Sequence, residues 1–190
     1  RDPDPADGAH LVPVPLLDLK KQYATIRDQV RVATDEPFER QGFILGPKVE
    51  AFERAIAEYV GVKHAIGMSS GTDAQLAAMM ALGIGPGDDV VTSPYTFFAS
   101  AGAVVRLGAR PVFCDIDPVT CNVDPAKLAK AITPRTKAIQ PIHLYGQCAD
   151  MDPILDVAKA KGIPVIEDAC QSLGAGYKGK KAGALGDFGA

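Results

Sequence analysis

Residues 163–168 read IPVIED, a short apolar run that ends in two carboxylates. Such a run is typical of a strand buried within a parallel sheet, with its last residues at the edge of the sheet. Because side chains alternate along a strand, Glu167 and Asp168 are expected to point to opposite sides. We therefore expect one carboxylate to be structural and the other to face a site.

The pattern around this run alternates between strands and helices along most of the chain. Further strands are expected at residues 64–68, 90–92, 111–114 and 137–144, and helices at residues 17–40, 47–60, 73–82, 96–107, 125–132 and 152–161. Strands joined by helices of this kind are crossover units, which predict an α/β three-layer sandwich with a mostly parallel sheet. In such sheets ligands collect at the carboxyl ends of the strands.

The composition excludes several functional classes. The chain has 190 residues, of which 47% are hydrophobic and 23% charged, and this balance supports a packed core. A net charge of −3 gives no basic surface for nucleic acid. No apolar run approaches the roughly 18 residues that span a membrane. Residues 1–15 contain four prolines and are expected to form a flexible tail.

The cysteines give no sign of a metal site. The four of them form no CxxC pair, and none lies at metal-ligand spacing from a histidine. Free thiols and the lack of a secretory signal favour a cytoplasmic location.

The turn at residues 69–72, SSGT, lies between an expected strand and an expected helix. The free amides and the dipole of a helix N-terminus bind anions, and Gly71 would allow a phosphate to approach the backbone closely. The alternative interpretation is a plain capped turn, and the turn alone does not decide between them.

Other strand ends add weaker signals. Phe97 follows the strand at residues 90–92 and could stack on a flat ring, although a core phenylalanine is the commoner outcome. His143 ends another strand and is expected to be structural. Residues 174–179 match G-x-G-x-x-G but follow a loop and precede no helix, which favours a glycine-rich hairpin over a dinucleotide site. A phosphate turn, an aromatic ring and a strand-end aspartate are thus expected on one rim.

These residues belong to a longer series of ordered motifs. The series comprises LLDLKKQY, GFILGPKVEAFE, SSGTDA, GPGDDVVTSPYTFFAS, FCDIDPVT, ITPRTKAI, HLYGQCADMD and IPVIEDACQSLGAGYKGKKAG. From about Leu16 to Ala190 the chain resembles the DegT/DnrJ/EryC1/StrS family of sugar aminotransferases, which use pyridoxal 5′-phosphate (PLP). The resemblance implies the large domain of a fold-type I PLP enzyme, similar to aspartate aminotransferase, over residues 16–190.

The resemblance also assigns roles to individual residues. It implies cofactor binding by Gly71 and Thr72 at the phosphate, Phe97 against the ring, Asp168 at the ring nitrogen and Gln171 near the ring hydroxyl. It places Gly46 and Pro47 near the sugar substrate. The chemistry agrees, because a helix N-terminus suits a phosphate and a carboxylate favours a protonated ring nitrogen.

In this family the lysine that forms the Schiff base follows a Gly-Asp-Phe-Gly segment, here residues 186–189. That lysine is therefore expected beyond Ala190, and the chain is expected to lack the catalytic residue and the small C-terminal domain. Lys178, Lys180 and Lys181 lie in the glycine-rich turn, where a solvated charge is the ordinary role.

The resemblance implies transamination of a nucleotide-linked keto sugar, with an amino acid such as glutamate as the donor. A UDP-linked 3-keto sugar is the favoured substrate, in amino-sugar synthesis for surface polysaccharide or secondary metabolites. A homodimer with active sites at the subunit boundary is also implied. Three alternatives stay open: a PLP-dependent deoxysugar dehydratase of the same family, a non-enzymatic nucleotide-sugar-binding or regulatory module, and a nicotinamide oxidoreductase.

Overall fold

A computed structural model describes residues 15–190. The expected tail at residues 1–15 therefore lies, except for Pro15, outside the described residues. The chain divides into two compact units, and the boundary along the sequence falls between Lys48 and Val49. Each unit is described separately.

The first unit consists mainly of the helix α1 (Leu19–Arg40). Asp18 caps its first turn by accepting a hydrogen bond from the amide of Lys21 at 3.2 Å. The helix ends at Gln41, which adopts the left-handed conformation with φ of 53°. None of the side chains of α1 is buried. Four of its exposed apolar residues recur at helical spacing and are called the α1 stripe: Leu19, Tyr23, Ile26 and Val30.

The next helix, α2, covers Pro47–Val60 and begins at the proline, as the sequence predicts. It is amphipathic, but none of its residues is buried.

The second unit is built on a parallel sheet. Its strands are β1 (Asp89–Thr92), β2 (Arg110–Phe113), β3 (Thr136–Gln140), β4 (Ile166–Glu167) and, after the hairpin described below, β7 (Phe188–Gly189). β1 lies between β2 and β3. Single parallel bridges from Ile139 to Val165 and from Ile142 to Asp168 connect β3 to β4. β4 pairs in parallel with β7, and among the described residues β7 pairs with β4 alone.

Helices cover both faces of this sheet. They are α3 (Gly71–Ala81), α4 (Ala99–Arg106), α5 (Pro125–Ala131) and α6 (Met151–Lys161). Val90 and Val91, neighbours on β1, belong to two different apolar clusters. Val90 packs in the cluster that contains residues of α3 and α4, whereas Val91 packs with residues of α5 and α6. This arrangement confirms the predicted three-layer α/β sandwich.

Several predicted elements differ from the structure. The strand expected at residues 137–144 ends at Gln140, and the run at residues 163–168 is a strand only at Ile166–Glu167. Residues 64–68 were expected to form a strand, but no strand is assigned there, because no neighbouring strand pairs with them in the described part of the chain. The helix expected from residue 96 begins instead at Ala99. Residues 93–98 form an irregular loop, which carries Phe97 at the carboxyl edge of the sheet.

The glycine-rich segment forms the expected hairpin, with β5 (Gly176–Tyr177) antiparallel to β6 (Lys180–Lys181). The strand–turn–helix context of a dinucleotide fingerprint is therefore missing, as predicted.

The amino edge of the sheet is held by the buried carboxylate of Asp89. Arg110 donates two hydrogen bonds to it, at 2.9 and 2.8 Å, and Thr133 donates a third at 2.6 Å. The hydrogen bond from Arg110 is the main reason that the pKa of Asp89 falls to about 2. These structural contacts occupy the amino ends of the strands. A ligand site is therefore expected at the carboxyl ends.

None of the helices between residues 15 and 190 combines the length and apolar character needed to cross a membrane. All four cysteines are free thiols.

Candidate functional site

A cavity of about 200 Å³ lies at the carboxyl edge of the sheet, where the sequence predicts a site. Its lining comes from the start of α3, from the loop that precedes α4 and from the segment after β4. Five predicted cofactor residues line it together: Gly71, Thr72, Phe97, Asp168 and Gln171.

The start of α3 provides the anion-binding geometry. Ser70 is the N-cap, and its hydroxyl accepts a hydrogen bond from the amide of Asp73 at 3.2 Å. The amides of Gly71 and Thr72, in the first turn, have no acceptor within the helix, as at any helix N-terminus. The negative charge of Asp73 is partly offset by Arg106, whose guanidinium lies at 3.8 Å. The turn can therefore receive an anion.

Gly71 packs closely against the side chain of Cys170. A Cβ atom built on Gly71 would overlap the sulfur of Cys170, whereas the Cβ of Cys170 would lie at 3.5 Å, an ordinary contact. Although Cys170 is exposed as a residue, desolvation of its thiol and the nearby Asp168 carboxylate raise its pKa to about 11, so this thiol is protonated at neutral pH. Cys170 thus packs against the turn and is a poor nucleophile.

Asp168 reaches the cavity from the end of β4. Its amide donates to the carbonyl of Pro141 at 2.9 Å, which fixes its backbone beside the segment after β3. Only 6% of the residue is exposed. The hydroxyl of Ser100, on α4, donates to Oδ2 of Asp168 at 2.7 Å. The carboxylate is thus buried and held in one orientation.

Glu167 lies on the other side of the strand, as the alternation predicts. Its Oε1 accepts from the amides of Leu185 and Gly186 at 2.7 and 2.6 Å, and its Oε2 accepts from the amide of Gly183 at 2.9 Å. Nε2 of His143 lies 2.8 Å from Oε2. This carboxylate therefore has a structural role.

The tautomer of His143 follows from its partners. Nδ1 accepts a hydrogen bond from the amide of Ala149 at 3.1 Å, so the ring proton is on Nε2, which donates to Glu167. His143 is fully buried. The prediction of a structural histidine is confirmed.

Phe97 and Gln171 complete the cavity wall. Phe97 is 72% exposed, so its ring is available to a ligand. Oε1 of Gln171 accepts a hydrogen bond from the amide of Tyr145 at 2.9 Å. The amide group of Gln171 is thereby oriented, and Nε2 is left as the donor toward a ligand oxygen.

The remaining predicted residues lie elsewhere in the chain. Gly46 and Pro47 belong to the first unit, which is described separately, so their contact with a sugar stays a prediction. Lys178 forms an ion pair with Asp152, and Lys181 lies 3.3 Å from the centre of the Tyr59 ring. Among the described residues that line the cavity there is no lysine.

Four polar residues of the cavity were missed by the sequence reasoning: Gln75, Thr96, Ser100 and Cys170. A signal for two of them was available, because Thr96 and Ser100 are four residues apart just after the expected strand at residues 90–92. Gln75 follows the anion-binding turn by one helical turn, which places it on the same side of α3.

A second cavity of about 680 Å³ lies between residues 62–68 and residues 182–190. It is larger, but alanine, glycine and aliphatic side chains make up most of its wall. It contains none of the predicted cofactor residues. We therefore place the candidate site in the smaller cavity, where polar groups converge.

Comparisons with known proteins point to one family. Residues 25–190 match the model of the DegT/DnrJ/EryC1/StrS aminotransferase family. The chain is 51% identical over 169 residues to the UDP-2-acetamido-2-deoxy-3-oxo-D-glucuronate aminotransferase of Pseudomonas aeruginosa, covering 89% of this chain and 47% of that protein. It is also 51% identical over 173 residues to a pleiotropic regulatory protein of Geobacillus stearothermophilus, covering 91% and 46%. The chain thus spans about half the length of these relatives.

A solved structure supports the fold and the cofactor. The crystal structure of ntda from Bacillus subtilis, with bound cofactor PMP, has a TM-score of 0.81 and 38% identity, covering 88% of this chain and 39% of that one.

The cavity fits PLP in chemical terms. Free amides at the start of α3 suit its phosphate, the Phe97 ring suits its flat face, and the Asp168 carboxylate suits its ring nitrogen.

Proposed function

This chain belongs to the DegT/DnrJ/EryC1/StrS aminotransferase family, and from that premise we propose that residues 16–190 form the amino-terminal part of the PLP-binding domain of a nucleotide-sugar aminotransferase. The proposed reaction moves an amino group from an amino acid such as glutamate to a UDP-linked 3-keto sugar. The name of the Pseudomonas aeruginosa relative supports that substrate class. The pathway would be amino-sugar synthesis for surface polysaccharide or secondary metabolites.

One observation carries this proposal. Anion-binding amides, an exposed aromatic ring and a buried carboxylate come from three separate segments and line a single small cavity. This is the set of groups that a flat, anionic ring with a basic nitrogen requires. A fold of this class that served only as a scaffold would have no need to bring these groups together.

Each residue has a distinct task in the proposed mechanism. The amides of Gly71 and Thr72 hold the phosphate, and Phe97 covers one face of the ring. Asp168 keeps a proton on the ring nitrogen, since a nearby carboxylate favours the charged form. Nε2 of Gln171 donates to the ring hydroxyl. When bound, PLP supplies an electron sink for the donor carbon after proton loss.

The proton transfer itself needs a lysine, which we expect beyond Ala190. Such a lysine would act both as the covalent anchor and as the general base. In this proposal the described residues bind and orient the cofactor and keep its ring nitrogen protonated.

The full-length protein provides the test. We expect a visible absorption band when it is mixed with PLP, a shift of that band on addition of glutamate, and formation of 2-oxoglutarate. Addition of a UDP-linked 3-keto sugar should restore the original band. Absence of the first band would contradict the proposal and favour a binding or regulatory module.

The dehydratase alternative predicts a different outcome in the same assay. A histidine would occupy the position of the lysine, so PLP would be retained on the protein without the Schiff-base band, whereas a binding or regulatory module would retain no PLP. A change in NADH fluorescence on titration would instead support an oxidoreductase.

We also propose a homodimer whose active sites lie at the subunit boundary. The α1 stripe, four exposed apolar side chains on one helix, supports a surface that another copy of the chain covers. Four free thiols suit a reducing compartment and support a cytoplasmic location.

A further inference from the structure

We propose that Ser100 is a positioning residue for Asp168, and that Thr96 in turn positions Ser100. This inference rests on the proposed function, because it concerns how the carboxylate is presented to the ring nitrogen. It adds two side chains of the loop and first turn of α4 to the machinery of the site.

The direction of the hydrogen bonds follows from counting protons. An ionised carboxylate can only accept, so the hydroxyl proton of Ser100 goes to Oδ2 of Asp168, at 2.7 Å. Oγ1 of Thr96 lies 3.1 Å from Oγ of Ser100. Since Ser100 has a single hydroxyl proton, Thr96 must be the donor in that second bond. The result is a directed chain from Thr96 through Ser100 to Asp168.

The two hydrogen bonds engage only Oδ2 of Asp168 and leave its Oδ1 for a ligand. Oδ1 of Asp168 has a long contact, 3.4 Å, with the amide of Cys170, and the weak thiol donor of the same residue lies beside the carboxylate. With Oδ2 fixed by Ser100, rotation of the carboxylate about its last bond is restrained and Oδ1 keeps its direction. Hydrogen bonds to charged groups are among the stronger ones in proteins, which makes this restraint effective.

The contact is not an ordinary helix contact. A serine in a helix commonly returns its hydroxyl to a carbonyl three or four residues earlier. The hydroxyl of Ser100 instead reaches the end of a strand 68 residues later in the chain. Ser100 is 1% exposed, and both Ser100 and Thr96 line the cavity. The two hydrogen bonds therefore lie where the cofactor is proposed to bind.

The test uses the full-length protein and the variants Ser100→Ala, Ser100→Thr and Thr96→Val. For Ser100→Ala we expect PLP to be retained and kcat to fall by about ten- to a hundredfold, with a smaller change in KM. Thr96→Val should lie between this variant and the wild type. Ser100→Thr keeps the hydroxyl and should restore most of the activity. Thr136→Ala removes another mostly buried hydroxyl, at the amino end of β3, and serves as the matched control.

A spectroscopic signal separates positioning from general packing. With PLP labelled with nitrogen-15 in the ring, Ser100→Ala should move the ring-nitrogen resonance toward that of the unprotonated ring, and Ser100→Thr should not. Wild-type kcat in Ser100→Ala would overturn the inference. Equal damage in Ser100→Ala and Ser100→Thr, with the resonance unmoved, would also overturn it.

Crystal structures of the cofactor-free protein give a readout that does not depend on the proposed activity. In Ser100→Ala the Asp168 carboxylate should rotate or occupy more than one orientation, whereas in the wild type and in Thr136→Ala it should occupy one. An unchanged carboxylate in Ser100→Ala would refute the positioning role, even if the protein had no aminotransferase activity. A wild-type protein that binds no PLP, with a reoriented carboxylate in the variant, would refute only the proposed function.

Discussion

Two adjacent carboxylates share the end of β4 but have different surroundings. Glu167 is fully buried and accepts four hydrogen bonds, which fill the acceptor positions of both its oxygens. Asp168 reaches the cavity, and its Oδ1 has a single long backbone contact, with the amide of Cys170. The strand alternation sets the two side chains apart, and their hydrogen-bond partners give Glu167 a structural role and leave Asp168 facing the cavity.

Asp168→Asn tests the chemical role directly. Asparagine has nearly the same shape but no charge, so the ring nitrogen of bound PLP would lose the partner that keeps it protonated. We expect cofactor binding to be retained, because the phosphate contacts are unchanged. Turnover should fall about a hundredfold or more, the scale of a lost electrostatic contact in an active site. Turnover near the wild-type value, measured with glutamate, would remove the assigned role.

Gly71→Ala tests the close packing at the anion-binding turn. The added Cβ would meet the sulfur of Cys170, and such overpacking costs about 1–3 kcal/mol of the free energy of unfolding. The double variant Gly71→Ala/Cys170→Ala removes the sulfur and should recover both stability and PLP affinity. Denaturant unfolding and PLP titration provide the two measurements.

Gly85→Ala is the matched control for this pair. A Cβ there would have its nearest neighbour at 3.9 Å, so its effect should be small. If the double variant were as unstable as Gly71→Ala, the contact with Cys170 would not be the reason for the glycine.

At the scale of elements, the Glu167 carboxylate connects β4 to the segment that precedes β7. Glu167→Gln would replace one carboxylate oxygen with an NH2 group, which would then face N–H donors. We expect a loss of about 1–3 kcal/mol or more in the free energy of unfolding, because a buried N–H donor is left without its acceptor. Asp152→Asn breaks the exposed pair with Lys178 and should cost about 1 kcal/mol or less. Similar losses in both variants, measured by denaturant unfolding, would contradict this role.

The same carboxylate gives a pH dependence. Burial opposes its ionisation, but the hydrogen bonds from His143 and three amides outweigh burial and lower the pKa of Glu167 below the ordinary 4.5. A lowered carboxyl pKa means that the stabilisation is complete above pH 4.5 and is lost as the pH falls through the folded-state value. Glu167→Gln, measured across the same acid range, should lose less stability than the wild type.

The elements themselves were largely predictable from hydrophobic pattern and capping residues. Pro47 marked the start of α2, and the succession of strands and helices predicted the three-layer sandwich that the separate clusters around Val90 and Val91 confirm. The strand expected at residues 64–68 was not assigned, because an apolar run specifies an extended segment but not the neighbour that must pair with it. Pairing is a property of the whole sheet and is not written in the local sequence.

For the whole molecule, we predict that the α1 stripe lies in a subunit interface. Ile26→Glu places a charge among apolar side chains, so it should shift the full-length protein toward monomer in sedimentation velocity. Lys20→Glu, an exposed change on the same helix, should leave the distribution unchanged. A dimer of unaltered stability in Ile26→Glu would place the interface elsewhere, and a monomeric wild type would contradict the homodimer itself.

The candidate site was predicted in part. Strand ends and the turn at residues 69–72 indicated Gly71, Thr72 and Asp168 as candidates, and the family resemblance added Gln171. Ser100 was missed because its role depends on a hydrogen bond between α4 and the end of β4, across 68 residues of chain. Residue type and local spacing can nominate a ligand-binding group, but the second group that orients it becomes visible only in three dimensions.

The single pairing of β7 has a practical consequence. Its other side leaves peptide groups that can template the addition of a further strand, which is the hazard of any uncovered edge. When this polypeptide is produced in isolation, self-association through that edge is therefore the expected failure, and supplying a complementary strand in trans is the rational remedy.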